Sequence, residues 1–225
     1  MILTHKNLIF INPYLFDESV LEEAVAVLKA GGVVIHPTET VYGLAAVWNN
    51  EPALRRVASL KKRSLEKPFS ILVNGIEQIL RISGWNSAGL ESLLTKIFPA
   101  PLTLLLPRRV QLSSTFWNQF PEIGFRFPDF KLCNSLVAMA GEPLITTSAN
   151  IADRPPPKTA SEIDESLIKN SGIFLNGGDC PLQVPSTVLR FDPNQRKMEV
   201  IRKGAFPSER FEAIMQDLYE QPEIK

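Results

Sequence analysis

A chain of 225 residues, 44% hydrophobic and 21% charged, has ordinary globular composition and enough length to bury a full core without cross-links. Its 24 basic and 24 acidic residues cancel, which argues against a broad surface for gripping a nucleic-acid backbone and leaves any RNA contact weak or indirect. Two cysteines, Cys133 and Cys180, and two histidines, His5 and His36, match no zinc-ligand spacing, so the thiols are expected to be reduced and packed as small apolar groups.

The opening stretch MILTHKNLIFINPYLF is interrupted by His5, Lys6, Asn7 and Asn12, unlike the basic-then-apolar plan of a leader peptide. No run approaches the roughly 20 apolar residues of a membrane span, and a cytoplasmic protein is expected. Asp17 caps a helix predicted over residues 18–30, with Leu21, Ala24, Val25 and Leu28 on one face and Gly31-Gly32 at its end. Val33-Val34-Ile35 reads as a buried strand that stops at Pro37, and residues 38–43 read as a loop. A helix over residues 51–62, a strand over 69–73 and a helix over 86–98 follow, the last broken by Pro99 and Pro101. The strand at 102–106 closes at Pro107.

The second half keeps the alternation. Residues 123–127 read as a strand, 129–140 as a helix, and 144–147 as a strand running into Ser148-Ala149-Asn150. Pro155-Pro156-Pro157 makes a stiff extended turn, and Ser161 starts another helix. Strands at 188–191 and 198–201 flank a turn at Asp192-Pro193-Asn194, and a terminal helix begins near Ser208. The expected architecture is α/β: one domain over residues 1–225, a twisted mixed sheet flanked by helices.

Several clusters can carry chemistry. Residues 37–44, PTETVYGL, place two hydroxyls, a carboxylate and a phenol directly after a strand, where ligands gather in α/β sheets. The plain alternative is a capped turn with Glu39 in solvent. Lys61-Lys62-Arg63, with Lys67-Pro68, can neutralise a polyphosphate if the chain leaves the helix there, or can simply be solvated charge at a helix end. Thr146-Thr147-Ser148-Ala149-Asn150, Ser186-Thr187-Val188 and Arg202-Lys203-Gly204 set polar groups at strand ends, as ligand contacts or as ordinary turns. Neither G-x-x-x-x-G-K-[ST] nor G-x-G-x-x-G occurs.

Taken in order, PTETVYGL, KKR with Lys67-Pro68, FPAPLTLLL at 98–106, Arg126 with Pro128-Asp129, Ser148-Ala149-Asn150, Ser186-Thr187-Val188 and Ile201-Arg202-Lys203-Gly204 resemble the YrdC-like family of threonylcarbamoyl-adenylate synthases, in its short, single-domain form. The resemblance runs from about residue 20 to 206. It implies a basic cleft on the sheet and a reaction in which L-threonine, bicarbonate and ATP give threonylcarbamoyl-AMP, for delivery by downstream proteins to tRNA. It further implies that Lys61, Arg63, Lys67, Ser148, Asn150 and Arg202 meet ATP, and that Thr38, Thr40, Tyr42, Arg126, Thr146 and Ser186 form the threonine pocket, Arg126 on the carboxylate. Mg²⁺ is implied beside the phosphates, with no protein ligand assigned. No nucleophilic side chain is needed, since such a transfer depends on positioning and charge neutralisation. The sequence departs from the family after Asn150, where Ile151-Ala152-Asp153-Arg154-Pro155-Pro156-Pro157 replaces the usual Ser-Gly run. Two other readings stay open: a non-catalytic nucleotide- or RNA-binding module of the same fold, and a carbamoyl-transfer domain like that of hydrogenase maturation proteins.

Overall fold

The short apolar runs assemble, in a computed structural model, into one ten-stranded mixed sheet. The structure describes residues 7–220; the reading of residues 1–6 as no leader, His5 included, lies outside them. In chain order the elements are β1 (Leu8–Phe10), α1 (Glu22–Lys29), β2 (Val34–His36), β3 (Gly43–Val47), α2 (Glu51–Leu60), β4 (Ser70–Leu72), α3 (Ile76–Ser83), α4 (Ala88–Ile97), β5 (Leu102–Pro107) and α5 (Thr115–Asn118). Then come β6 (Glu122–Arg126), α6 (Lys131–Ala140), β7 (Leu144–Ser148), α7 (Glu165–Asn170), β8 (Ile173–Asn176), β9 (Thr187–Asp192), β10 (Lys197–Arg202) and α8 (Ser208–Glu220). Strand order across the sheet is β1-β8-β2-β3-β7-β4-β6-β5-β9-β10. Parallel pairs (β4 with β6, β5 with β9) and antiparallel ones (β3 with β7, β5 with β6) both occur, so the sheet is mixed as expected.

Helix boundaries follow the caps. The Asn50 side chain accepts the Ala53 amide at 3.1 Å to start α2, and Ser87 accepts that of Leu90 at 3.2 Å to start α4. Asp164 accepts the Ser166 amide at 2.9 Å, so α7 begins at Glu165 and not at Ser161, where only a 3₁₀ turn lies. Asp17 caps a 3₁₀ turn that leads into α1. The helix predicted to Lys62 ends at Leu60, and Lys62 turns the chain with a φ of 52°.

Alternate residues of each strand feed two apolar layers. Ile35, Leu44, Ala46, Ile71, Leu104 and Phe125 pack with α2 and α4 on one face. Val34, Ala45, Leu72 and Leu144 pack with α1 and α6 on the other. On that second face α1 and α6 cover only the β8, β2 and β3 side and the ends of β4 and β7. The polar residues of β5, β6 and β9 face outward on the remainder, and this uncovered half is where the site lies.

Candidate functional site

A cavity of about 680 Å³ opens over the uncovered face. Its floor is a row of residues in register across five adjacent strands. Thr146 of β7 stands opposite Ser70 of β4, Ser70 opposite Gly124 of β6, Gly124 opposite Leu105 of β5, and Leu105 opposite Arg190 of β9. The small residues in the middle make the trough. A Cβ on Gly124 would stand 3.1 Å from the Leu105 side chain and 3.2 Å from that of Thr103. Four arginines line the cavity, Arg126, Arg154, Arg190 and Arg202, against one acid, Glu122. Glu122 is held by the Arg190 Nε at 2.8 Å.

The loop at residues 37–42 closes one side through a directed chain of hydrogen bonds. Thr38 gives its hydroxyl proton to the Val41 carbonyl at 2.7 Å. The 2.8 Å contact between the Thr38 and Thr40 hydroxyls is therefore donated by Thr40. With its one proton spent, the Thr40 Oγ1 accepts from the Arg126 Nη2 at 3.0 Å. The same Nη2 donates to Glu39 Oε1 at 2.6 Å. Glu39 is 6% exposed and Arg126 8%, so the carboxylate considered as a solvent group is instead buried on the guanidinium. Arg126 still lines the cavity, with its Nε unpartnered.

Below this network lie His36, Cys133 and Cys180, all fully buried. Burial lowers the His36 pKa to about 4, with Arg126 adding repulsion, and its Nδ1 lies 3.0 Å from the Pro37 carbonyl. Burial raises the Cys180 thiol to about 11 and the Cys133 thiol well above its ordinary value. Both are free thiols.

The opposite wall depends on Lys61. Its amino group donates to the Ser148 carbonyl, to the Asn150 carbonyl at 2.8 Å and to Asn150 Oδ1 at 3.3 Å. Those contacts use all three of its protons, and burial lowers its pKa to about 8, with Arg63 contributing. Expected to hold phosphates, Lys61 instead shapes the loop that carries Ser148. Asn150 likewise holds its own loop, donating to the carbonyls of Ile151 at 3.0 Å and Arg154 at 2.6 Å. Arg63 stacks 4.0 Å over the Phe69 ring and donates to the carbonyls of Lys67 and Pro68; burial lowers its pKa. Phe69 and Pro68 line the cavity, whereas Lys67 is exposed and stands outside the lining.

Ser186 and Arg202 meet on the third side. Arg202 Nη2 donates to the Ser186 carbonyl at 2.7 Å, and the Ser186 hydroxyl lies 3.0 Å from that of Thr103. Gly204 permits this approach, since a Cβ there would stand 2.2 Å from the Pro185 carbonyl oxygen. Burial and then repulsion from Arg126 lower the Arg202 pKa, and both guanidiniums belong to the cavity lining. Two cations in one lining favour an anion in the cavity.

Of the residues expected at the site, Arg126, Thr146, Ser148, Asn150, Ser186 and Arg202 line this one cavity, and Thr38 and Thr40 reach it through Arg126. Tyr42 corrects the expectation. Its hydroxyl donates to the Gly178 carbonyl at 2.7 Å and accepts the Gly177 amide at 3.1 Å, on a ring that packs against Phe174, so it locks a distant turn. Ser70, Thr103, Gly124 and Arg154 escaped the sequence reading, and Glu39, read as a loop carboxylate, was given no role in the pocket. The alternation of Glu122, Gly124 and Arg126 with apolar Ile123 and Phe125 marks the sheet face that Ser70 and Thr103 share.

The family model Sua5_yciO_yrdC, described as telomere recombination, matches residues 26–204. A Homo sapiens protein named threonylcarbamoyl-AMP synthase is 32% identical over 88% of this chain and 72% of its own length. One of the same name from Pyrococcus abyssi is 27% identical over 92% of this chain, which spans 61% of that relative; for the Bacillus subtilis relative the span is 56%. The crystal structure of P. abyssi Sua5 complexed with L-threonine superposes with a TM-score of 0.84 at 25% identity, over 97% of this chain and 67% of that one. E. coli YciO shares the fold, with a TM-score of 0.77 at 20% identity, over 92% of this chain and 100% of that one.

Proposed function

The chain belongs to the Sua5/YciO/YrdC family, and on that premise we propose that it makes threonylcarbamoyl-AMP and pyrophosphate from L-threonine, bicarbonate and ATP. The observation that carries this reading is the meeting of the Arg126–Thr40 network with Ser148 and Arg202 in one cavity large enough for an amino acid beside a nucleotide. The relative crystallised with L-threonine supports threonine as that amino acid.

In this reading Arg126 takes the threonine carboxylate with the guanidinium nitrogens that Glu39 and Thr40 leave open. Thr40, fully buried and accepting from the same guanidinium, sets how Arg126 is presented to that carboxylate. Bicarbonate carbamoylates the threonine amine with loss of water. A carbamate oxygen then attacks the α-phosphorus, the bond to the bridging oxygen breaks, and pyrophosphate leaves. The apolar stretch at Leu105, Phe120 and Val188 suits the base, and Ser148, Arg202 and the Lys61-held loop suit the phosphates. No side chain becomes covalently bonded; the arginines lower the barrier by neutralising charge that grows on the phosphates.

Mg²⁺ enters this scheme on ATP. Among the described residues no group of three or more His, Cys, Asp or Glu is placed to hold a metal ion. Among them, too, no helix is long and apolar enough to cross a membrane, and the proposed setting is the cytoplasm, where other proteins transfer the product to tRNA. RNA contact by this chain is proposed to be weak or indirect, consistent with zero net charge.

The test is pyrophosphate release by the purified protein, omitting each substrate in turn. Release that requires ATP, threonine and bicarbonate together supports the reading. Nucleotide binding with no release under any combination identifies a binding module.

A further inference from the structure

We infer that Arg154 is a phosphate-binding residue of this site, meeting the β- and γ-phosphates of the nucleotide and the pyrophosphate they become. The inference rests on the proposed reaction and adds a contact that the proposal does not assign.

Arg154 lines the same cavity as Arg126 and Arg202. Its backbone is fixed relative to Ser148. The Arg154 amide donates to the Ile151 carbonyl at 3.1 Å, its carbonyl accepts from Asn150 Nδ2 at 2.6 Å, and the Ala152 amide reaches the Lys61 carbonyl at 2.8 Å. Three prolines follow, and the Pro157 carbonyl takes the Tyr42 amide at 2.9 Å. A loop pinned this way cannot swing freely, so the side chain is presented from a set point on the cavity rim.

The guanidinium is only lightly committed. One nitrogen, Nη1, pairs with Asp164 Oδ2 at 2.9 Å, and the side chain is 63% exposed. An ion pair this open contributes little to stability. Asp164 is itself anchored, accepting both the amide and the hydroxyl of Ser166. The pair engages one Arg154 nitrogen and leaves its other donors uncommitted, so the arginine's place on the rim is set by the pinned backbone and not by Asp164. Glu122, the one acid in the lining, is already bound by Arg190, so the nearest uncompensated demand for these donors is an anion in the cavity. Arg126 and Arg202 stand on the sheet side, and Arg154 adds a cation from the loop side. A polyphosphate is held best when cations reach it from separate directions.

The commitment to the outer phosphates follows from position. The apolar stretch at Leu105, Phe120 and Val188 suits the base and Arg126 the amino acid; of the two other polar walls, Ser186–Arg202 lies within electrostatic reach of Arg126 and suits the α-phosphate, which leaves the Ser148–Arg154 loop for the outer phosphates.

Calorimetric titration of Mg·ATP, inorganic pyrophosphate and AMP into three proteins tests this. Arg154→Ala is expected to bind Mg·ATP and pyrophosphate roughly five- to tenfold more weakly than wild type, with AMP affinity unchanged. Asp164→Asn, which removes the ion pair but keeps the arginine, is expected to keep its pyrophosphate affinity. Unchanged pyrophosphate binding in Arg154→Ala overturns the inference and leaves the proposed reaction standing. An equal loss in Asp164→Asn overturns it as well, because the arginine would then act only as a loop strut. Wild-type protein that binds neither ATP nor pyrophosphate overturns both readings.

Discussion

Glu39 Oε1 sits 2.6 Å from Arg126 Nη2, and both residues are more than nine-tenths buried although 87 positions separate them in the chain. The carboxylate balances a guanidinium that would otherwise be buried unpaired, and it turns the free edge of that guanidinium to the cavity. Glu39→Gln keeps the shape and removes the charge, and it should raise the threonine KM about tenfold with the ATP KM little changed. Glu39→Ala should in addition cost about 3 kcal/mol of folding free energy, the usual result of removing one partner of a buried pair. Steady-state kinetics in each substrate and urea denaturation check these values; wild-type threonine dependence in Glu39→Gln would remove Glu39 from the site.

Lys61 makes stability depend on alkaline pH. Its folded pKa of about 8 lies below the ordinary 10.5, so between those values the unfolded chain holds the extra proton. Stability from this group therefore rises as pH rises through that window, by up to about 3 kcal/mol. Lys61→Met should lose the alkaline rise. It should also weaken ATP binding at neutral pH, because the Ser148 and Asn150 carbonyls lose their common donor. Melting temperature followed from pH 7 to 10 measures the first effect, and an identical profile in the variant would contradict it.

His36 has the same sign in an acid window. It is buried neutral with a pKa of about 4, below its ordinary 6.5. Its contribution is full above pH 6.5 and is lost as pH falls toward 4, because the unfolded chain takes up the proton first. The loss is limited to about 3 kcal/mol. His36→Asn should flatten the stability curve between pH 6.5 and 4, and denaturant midpoints across that range decide the matter.

Much of this was legible in the sequence, for stated reasons. The start of α2 was read at Glu51, directly after its Asn50 cap, whereas α4 begins at Ala88 behind Ser87 and not at residue 86; the strands at β5 and β7 were readable from the apolar residues that open them. β3 and β8 were not read. Gly43–Val47 is largely small residues, and Ile173–Asn176 is four residues long, so neither carries much periodicity. The loops 37–42 and 148–150 stood out because hydroxyl and amide groups follow strands. The floor of the cavity did not, since Thr146, Ser70, Gly124 and Leu105 become neighbours only through strand pairing. The role of Lys61 was hidden for a similar reason: a lysine reads as charge for a ligand, and only the fold shows three carbonyl and amide oxygens waiting for it.

The central claim is that Arg126, held by Glu39 and Thr40, receives the carboxylate of L-threonine. Titration of L-threonine and L-threonine methyl ester into wild type and Arg126→Ala measures it most directly. Wild type should bind the acid at least about tenfold more tightly than the ester, and Arg126→Ala should lose most of that preference with its fold intact by circular dichroism. Equal affinity for acid and ester in the wild type, or an undiminished preference in Arg126→Ala, contradicts the account.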